Sequence, residues 1–289
     1  TAVQVVAVWF VWDVFVGWAP LLLNLTFAFN LIPHAVDGIA PASWSIGVEM
    51  LFYLVFPAFI AVARDTRRAA LLTVVLIAMA MSFRHIAGAG QGATAAFSQH
   101  SLLFNLPYFG FGVLGYQLYR HTPERSAWLL LGLAVLGLLA LHAVTQAIGA
   151  RMLRQQGLYA LVQALWGLPF GLMCAGVAHH APSLIANRFT CFLGRISYGL
   201  YLAHPQVIFA LKGLGIYAAI QALPVASGVT FAASLAVTLA VLVPVAWALY
   251  VVVEAPGIAL GKRPSAVTHA SGGRSEVSDV PRTSSSKTV

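Results

Sequence analysis

The chain has 289 residues, 60% hydrophobic and only 8% charged, with a formal net charge of +8 and a mean hydropathy of +0.85. Soluble domains carry about 25% charged residues, so the composition excludes a water-soluble globular protein and indicates an integral membrane protein. The sixteen Lys and Arg are scattered between apolar runs, a pattern that sets membrane orientation and argues against a nucleic-acid partner. The runs are rich in Leu, Ala and Gly and lack the alternation of an outer-membrane barrel. The expected class is therefore all-α, a polytopic bundle of about eight transmembrane helices surrounded by membrane lipids.

In chain order, Ala2 to about Leu23 is the first expected span, with Asp13 inside it. Thr1 already lies in this apolar run with no charged segment before it, so no signal peptide is expected. Asp13 has no polar neighbour one turn away, and a structural role is expected for it. Residues 24–43 form a mixed connection containing Pro33, His34, Asp37, Gly38 and Pro41. The second span runs from about Ser45 to Val62, and the third from about Ala69 to Phe83. A Gly/Ala/Gln loop, Arg84 to His100, leads to the fourth span, Ser101 to Tyr119. The fifth covers Ser126 to about Val144, the sixth Leu158 to Ala178, the seventh about Cys191 to Leu211, and the eighth Ser227 to Val253. Residues 1–264 thus form one membrane domain. The tail 265–289, rich in Ser, Thr and charge, is expected to be disordered. Arg64, Arg67, Arg68, Arg120, Arg125, Arg188, Lys262 and Arg263 fall in one set of alternate loops. That set outnumbers the other in positive charge, which places both chain ends in the cytoplasm and Glu49 nearer the outer leaflet.

Two stretches carry polar groups into the apolar runs. Ser45, Glu49 and Tyr53 recur at i, i+4 and i+8 in the second span, on one helical face, with Trp44 adjacent. An ionisable side chain inside a span costs about 2.5–3.5 kcal/mol on insertion scales and is a functional candidate by default. Pro57 cannot donate to the carbonyl of Tyr53, so a kink is expected there. In the seventh span Ser197, Tyr201 and His204 also share one face, with Tyr198 alongside. Pro205 frees the carbonyl of Tyr201 in the same way. Arg195 stands near the cytoplasmic end of that span, suited to lipid phosphates or to a cytosolic anion. His85, His179 and His180 lack metal-ligand spacing, so no metal site is expected. Cys174 and Cys191 read as small apolar-facing residues. Walker and G-x-S-x-G patterns are absent from the sequence.

The stretch Trp44-Ser45-Ile46-Gly47-Val48-Glu49-Met50-Leu51-Phe52-Tyr53, followed by Pro57, resembles the acyltransferase-3 family of membrane O-acyltransferases. Leu106 to Gly112, Leu193 to His204 and Val253-Glu254-Ala255-Pro256 resemble further segments of that family, in the same order. The resemblance covers roughly residues 1–263. It implies a ten-span bundle in the inner, plasma membrane that takes an acyl group, most often acetyl, from cytoplasmic acyl-CoA. The acceptor it implies is a hydroxyl of a sugar or lipid-linked glycan of the cell envelope. The family's first span holds a His thought to be catalytic, preceded by an Arg and followed by an R-x-x-R that contacts the CoA. None of these stands in this chain, which begins where the third span should. The expectation is therefore a member lacking its first two spans, whose activity by itself is in question.

On this resemblance Glu49 would orient a catalytic imidazole or balance its charge, and Tyr53, Ser197, Tyr198 and His204 would line an acyl tunnel or donate to an oxyanion. Trp44 and Tyr201 would stack on a sugar ring, Ser45 would bind substrate beside them, and Arg195 would meet the CoA. The competing reading is a transporter or flippase using Glu49 as a proton site, which predicts repeated halves that the sequence does not show. A membrane subunit without chemistry is the third. Acceptor identity, acyl length and oligomeric state are not assigned by the sequence.

Overall fold

The computed structural model describes residues 17–87, 93–183 and 185–261. The first expected span as far as Val16, Asp13 within it, and the tail from Ser265 lie outside the described residues. All regular elements among the described residues are helical. They begin with α1 (Trp18–Leu25) and a 3-10 turn (Ala28–Leu31), followed by α2 (Trp44–Val62), α3 (Thr66–Ala87) and the short α4 (Ala93–His100). Then come α5 (Leu102–His121), α6 (Ala127–Arg154), α7 (Gln156–Leu165), α8 (Gly167–His179), α9 (Arg188–Arg195) and α10 (Ser197–Gly213). The last elements are α11 (Ile216–Gln221), α12 (Ser227–Leu249), a π turn (Tyr250–Glu254) and α13 (Ala255–Gly261).

Five segments among the described residues are long and apolar enough to cross a membrane: 44–62, 66–87, 124–149, 156–179 and 227–261. The eight expected spans are therefore not matched one for one. Their outward faces are apolar, as at Leu54, Trp128 and Leu136, which is the surface lipid requires.

Three departures from the expected spans have local causes. The Gly/Ala/Gln loop is shorter than expected, because α3 continues to Ala87 and Ala93–His100 is helical. The sixth span is two helices, α7 and α8, meeting at Trp166. Pro169 cannot donate to the carbonyl of Leu165, so the hydrogen-bond ladder has a gap where they meet. The seventh is likewise divided at the fully buried Ile196. By contrast, α2 runs without interruption through Pro57.

One core layer joins α2, α3 and α5 through Phe52, Phe59, Leu76, Leu106 and Val113. Phe52 stacks on Phe109 with ring centroids 3.7 Å apart. Behind it α5 meets α8 at backbone contact: a Cβ on Gly115 would stand 2.7 Å from the carbonyl oxygen of Gly171. Small residues allow this approach, which supplies packing where lipid offers no hydrophobic drive. A second layer, Ala203, Val207, Leu211 and Leu242, joins α10 to α12. The seam between these layers holds the polar groups.

Candidate functional site

On α2, the i, i+4 spacing brings Tyr53 to Glu49, and the Tyr53 hydroxyl donates to Glu49 Oε1 at 2.5 Å. That length is typical of a hydroxyl bonded to an ionised carboxylate. Ser45, one turn earlier, turns away from Glu49 and donates through Oγ to the Tyr201 hydroxyl on α10 at 2.7 Å. The Tyr201 hydroxyl in turn donates to the carbonyl of Ala42 at 3.2 Å. Ala42 sits in the left-handed region at φ 64°, a conformation that costs a non-glycine residue about 1–2 kcal/mol. The turn entering α2 thus holds a strained residue whose carbonyl faces the seam.

Tyr198 lies within electrostatic reach of both Glu49 and Tyr53. Ser45 and Tyr201 thus join the first turns of α2 and α10, with Glu49 and Tyr198 close by. The two sequence stretches, more than 140 residues apart, face each other.

His204 is placed by Pro205. The carbonyl of Tyr201 has no helical donor, because Pro205 carries no N–H. His204 Nδ1 donates to that carbonyl at 2.6 Å. A carbonyl only accepts, so Nδ1 holds the proton and the neutral ring presents Nε2 as an acceptor. The ring stands 5.5 Å from that of Tyr201.

The structure thus brings Ser45, Glu49, Tyr53, Tyr198 and Tyr201 to one seam, and His204 lies beside Tyr201 on α10. Two predicted residues stand outside the seam, at the break between α9 and α10. Ser197 donates to the carbonyl of Gly194 at 2.9 Å and fastens the break between α9 and α10. Arg195, the last residue of α9, is exposed and has no ion-pair partner among the described residues. Trp44 faces a different neighbour: His100 of α4 stacks on it with centroids 4.4 Å apart and planes inclined by 14°.

His100 and its surroundings are what sequence reasoning missed. Its Nδ1 lies 2.5 Å from Asp37 Oδ1, a contact across 63 positions that leaves no local pattern. Asn30, fully buried, holds the arrangement. Its Nδ2 donates to the carbonyls of His100 at 2.8 Å and Trp44 at 3.3 Å, and its Oδ1 accepts from the Leu102 amide at 3.1 Å. Gly47 lets this turn settle against α2, since a Cβ there would stand 2.7 Å from the Phe29 ring. Phe29-Asn30 between apolar residues was the available signal, because a polar side chain there must find partners.

Other sequence candidates serve local structure. His179 Nε2 lies 2.9 Å from the Thr122 hydroxyl, and the two cysteines are exposed thiols on the outward faces of α8 and α9. No cluster of three metal-ligating side chains occurs among the described residues.

Chemically, the seam offers a carboxylate bonded to a phenol and a hydroxyl chain from Ser45 through Tyr201, and beside it His204 adds an imidazole with an open acceptor nitrogen. These are the groups that proton transfer from an alcohol requires. The model of a known family, described as an acyltransferase domain of the acyltransferase-3 type, matches residues 1–251. No curated protein and no solved structure matches the chain.

Proposed function

This chain belongs to the acyltransferase-3 family and is a membrane acyltransferase, and on that premise we propose O-acyl transfer from acyl-CoA to a sugar hydroxyl. Acetyl is the acyl group we assign, and a lipid-linked or envelope glycan the acceptor. The setting we assign is the plasma membrane, with both chain ends cytoplasmic. The observation that carries this reading is the seam itself, where the Glu49–Tyr53 pair faces the Tyr201–Ser45 hydroxyl chain.

In the transfer, the acceptor hydroxyl loses its proton to a base as its oxygen attacks the thioester carbonyl. The new C–O bond forms, the C–S bond breaks, and the CoA thiolate leaves and regains a proton. Glu49 supplies negative charge beside the seam, which favours a nearby cation formed during proton transfer. Tyr53 already donates to Glu49, and Ser197 to Gly194. Of the residues suited to an oxyanion, Tyr198 has a hydroxyl without a hydrogen-bond acceptor among the described residues. His204, with Nδ1 committed, accepts through Nε2 and positions the incoming hydroxyl. Tyr201 and Trp44 present ring edges and faces to a sugar, with Ser45 beside them. Exposed Arg195 is a site for the CoA phosphates.

Cells making the protein should incorporate label from a radioactive acyl group into envelope glycans as an alkali-labile ester, and Glu49→Ala should abolish it. Absence of ester label in a well-folded protein, with movement of unmodified substrate instead, would turn the assignment toward a transporter.

A further inference from the structure

We propose that the cleft between the end of α10, α11 and the first turns of α12 binds the phosphodiester of a membrane lipid with a glycerol headgroup. The inference does not depend on the acyl-transfer reading and concerns the end of α10 opposite Tyr201.

The cleft is a cavity of about 640 Å³ whose lining includes Lys212, Tyr217, Gln221, Thr230, Phe231 and Ser234. Lys212 lies in the last turn of α10, and Ser227 opens the apolar segment 227–261. The cleft therefore stands at a span end, where the hydrocarbon core gives way to headgroups.

Charge selects an anion. Lys212 is exposed and has no ion-pair partner among the described residues. No Asp or Glu occurs in the sequence between Glu124 and Glu254, so the helices that form the cleft carry no counter-ion of their own. An ammonium at a membrane surface is matched by lipid phosphate.

Hydrogen bonding narrows the headgroup. Thr230 Oγ1 donates to the Ser227 carbonyl at 2.9 Å, and Ser234 Oγ to the Thr230 carbonyl at 2.8 Å. Thr238 Oγ1 donates to the Ser234 carbonyl at 2.7 Å. The Tyr217 hydroxyl, 2.7 Å from Thr238 Oγ1, is therefore the donor in that pair. A hydroxyl carries one proton, so Thr230, Ser234 and Tyr217 have only lone pairs left for a ligand. Acceptor oxygens beside an ammonium suit an anion that brings hydroxyl protons with it. Thr230 and Ser234 stand one turn apart on one face of α12, and a glycerol headgroup brings two hydroxyls. A choline headgroup has no O–H or N–H to donate. Phe231 in the lining is exposed, as are Leu214 and Leu223, close in sequence to Lys212 and Gln221. These apolar surfaces suit the hydrocarbon chains of the same molecule.

The test measures lipid binding to the whole purified protein by native mass spectrometry. The probes are phosphatidylglycerol, phosphatidylmethanol and phosphatidylcholine. Phosphatidylmethanol carries the same phosphodiester charge without a headgroup hydroxyl. Wild-type protein should bind phosphatidylglycerol several-fold more tightly than phosphatidylmethanol, and phosphatidylcholine most weakly. Lys212→Met should weaken both anionic lipids roughly 5-fold. Thr230→Val combined with Ser234→Ala should remove the preference between them. Unchanged binding of phosphatidylglycerol by Lys212→Met, or equal binding of phosphatidylcholine by wild type, would overturn the site. Equal wild-type affinity for phosphatidylglycerol and phosphatidylmethanol would overturn the hydroxyl-bearing headgroup. Free glycerol 3-phosphate competing as well as the lipid, or a polyprenyl phosphosugar binding there more tightly, would overturn the assignment to a glycerol lipid.

Discussion

Asn30→Ala is the substitution for which the structure sets the largest expected loss from a single small side chain. Asn30 is fully buried and makes three hydrogen bonds, two to carbonyls of Trp44 and His100 and one from the Leu102 amide. Each bond contributes about 1 kcal/mol net, and a buried partner left unsatisfied costs about 1–3 kcal/mol. The bond to Trp44 is long, so a total of about 3 kcal/mol is the expected destabilisation. For a chain of this size about 2–4 °C accompanies each kcal/mol, so the thermal midpoint in detergent should fall by roughly 6–12 °C. Asn30→Asp should be no better, because it keeps an acceptor for Leu102 and turns a second oxygen toward two carbonyls. Amide exchange at Leu102, whose N–H loses its acceptor, should quicken in Asn30→Ala. A midpoint within about 2 °C of wild type for Asn30→Ala would refute the claim that this buried amide organises the entrance to α2.

Gly115→Val would place side-chain atoms against the Gly171 carbonyl and should destabilise by about 1–3 kcal/mol or more. Gly132→Ala, where a Cβ meets nothing within 4 Å, should be neutral or stabilising by up to about 1 kcal/mol in the same melt. Tyr201→Phe removes the hydrogen bonds to Ser45 and Ala42. It should cost about 1 kcal/mol and lower transfer, and an unchanged rate and midpoint would show the seam is not held there. Arg195→Ala should raise KM for acyl-CoA while the melting midpoint stays constant, since the residue has no ion-pair partner among the described residues.

The seam was legible where its residues follow a helical period. Ser45, Glu49 and Tyr53 at four-residue spacing, and Tyr201 with His204 ahead of Pro205, needed only the geometry of one helix. That these two faces oppose each other came from tertiary packing. Ser197 has the right spacing, yet its hydroxyl turns to Gly194 because α9 and α10 separate at Ile196. Residues 93–100 are short and polar for a helix. Their contacts hold them: Ser98 accepts from the buried Arg84 guanidinium, and the carbonyl of His100 accepts from Asn30. The Asp37–His100 pair lies in segments that a linear reading treats as connections. Such segments reveal their chemistry only when buried groups such as Asn30 bring them together.

The measurement that bears most directly on the central claim is transfer of a labelled acyl group from acyl-CoA to a glycan hydroxyl by purified wild-type protein and Glu49→Gln. Glutamine keeps the size of the side chain and an acceptor for Tyr53 while removing the charge. Wild-type protein should form an alkali-labile ester, and Glu49→Gln should lower kcat by about 100-fold or more with an unchanged melting midpoint. Normal turnover in Glu49→Gln would contradict the role given to the Glu49 carboxylate, and no ester from wild type would contradict the transfer itself.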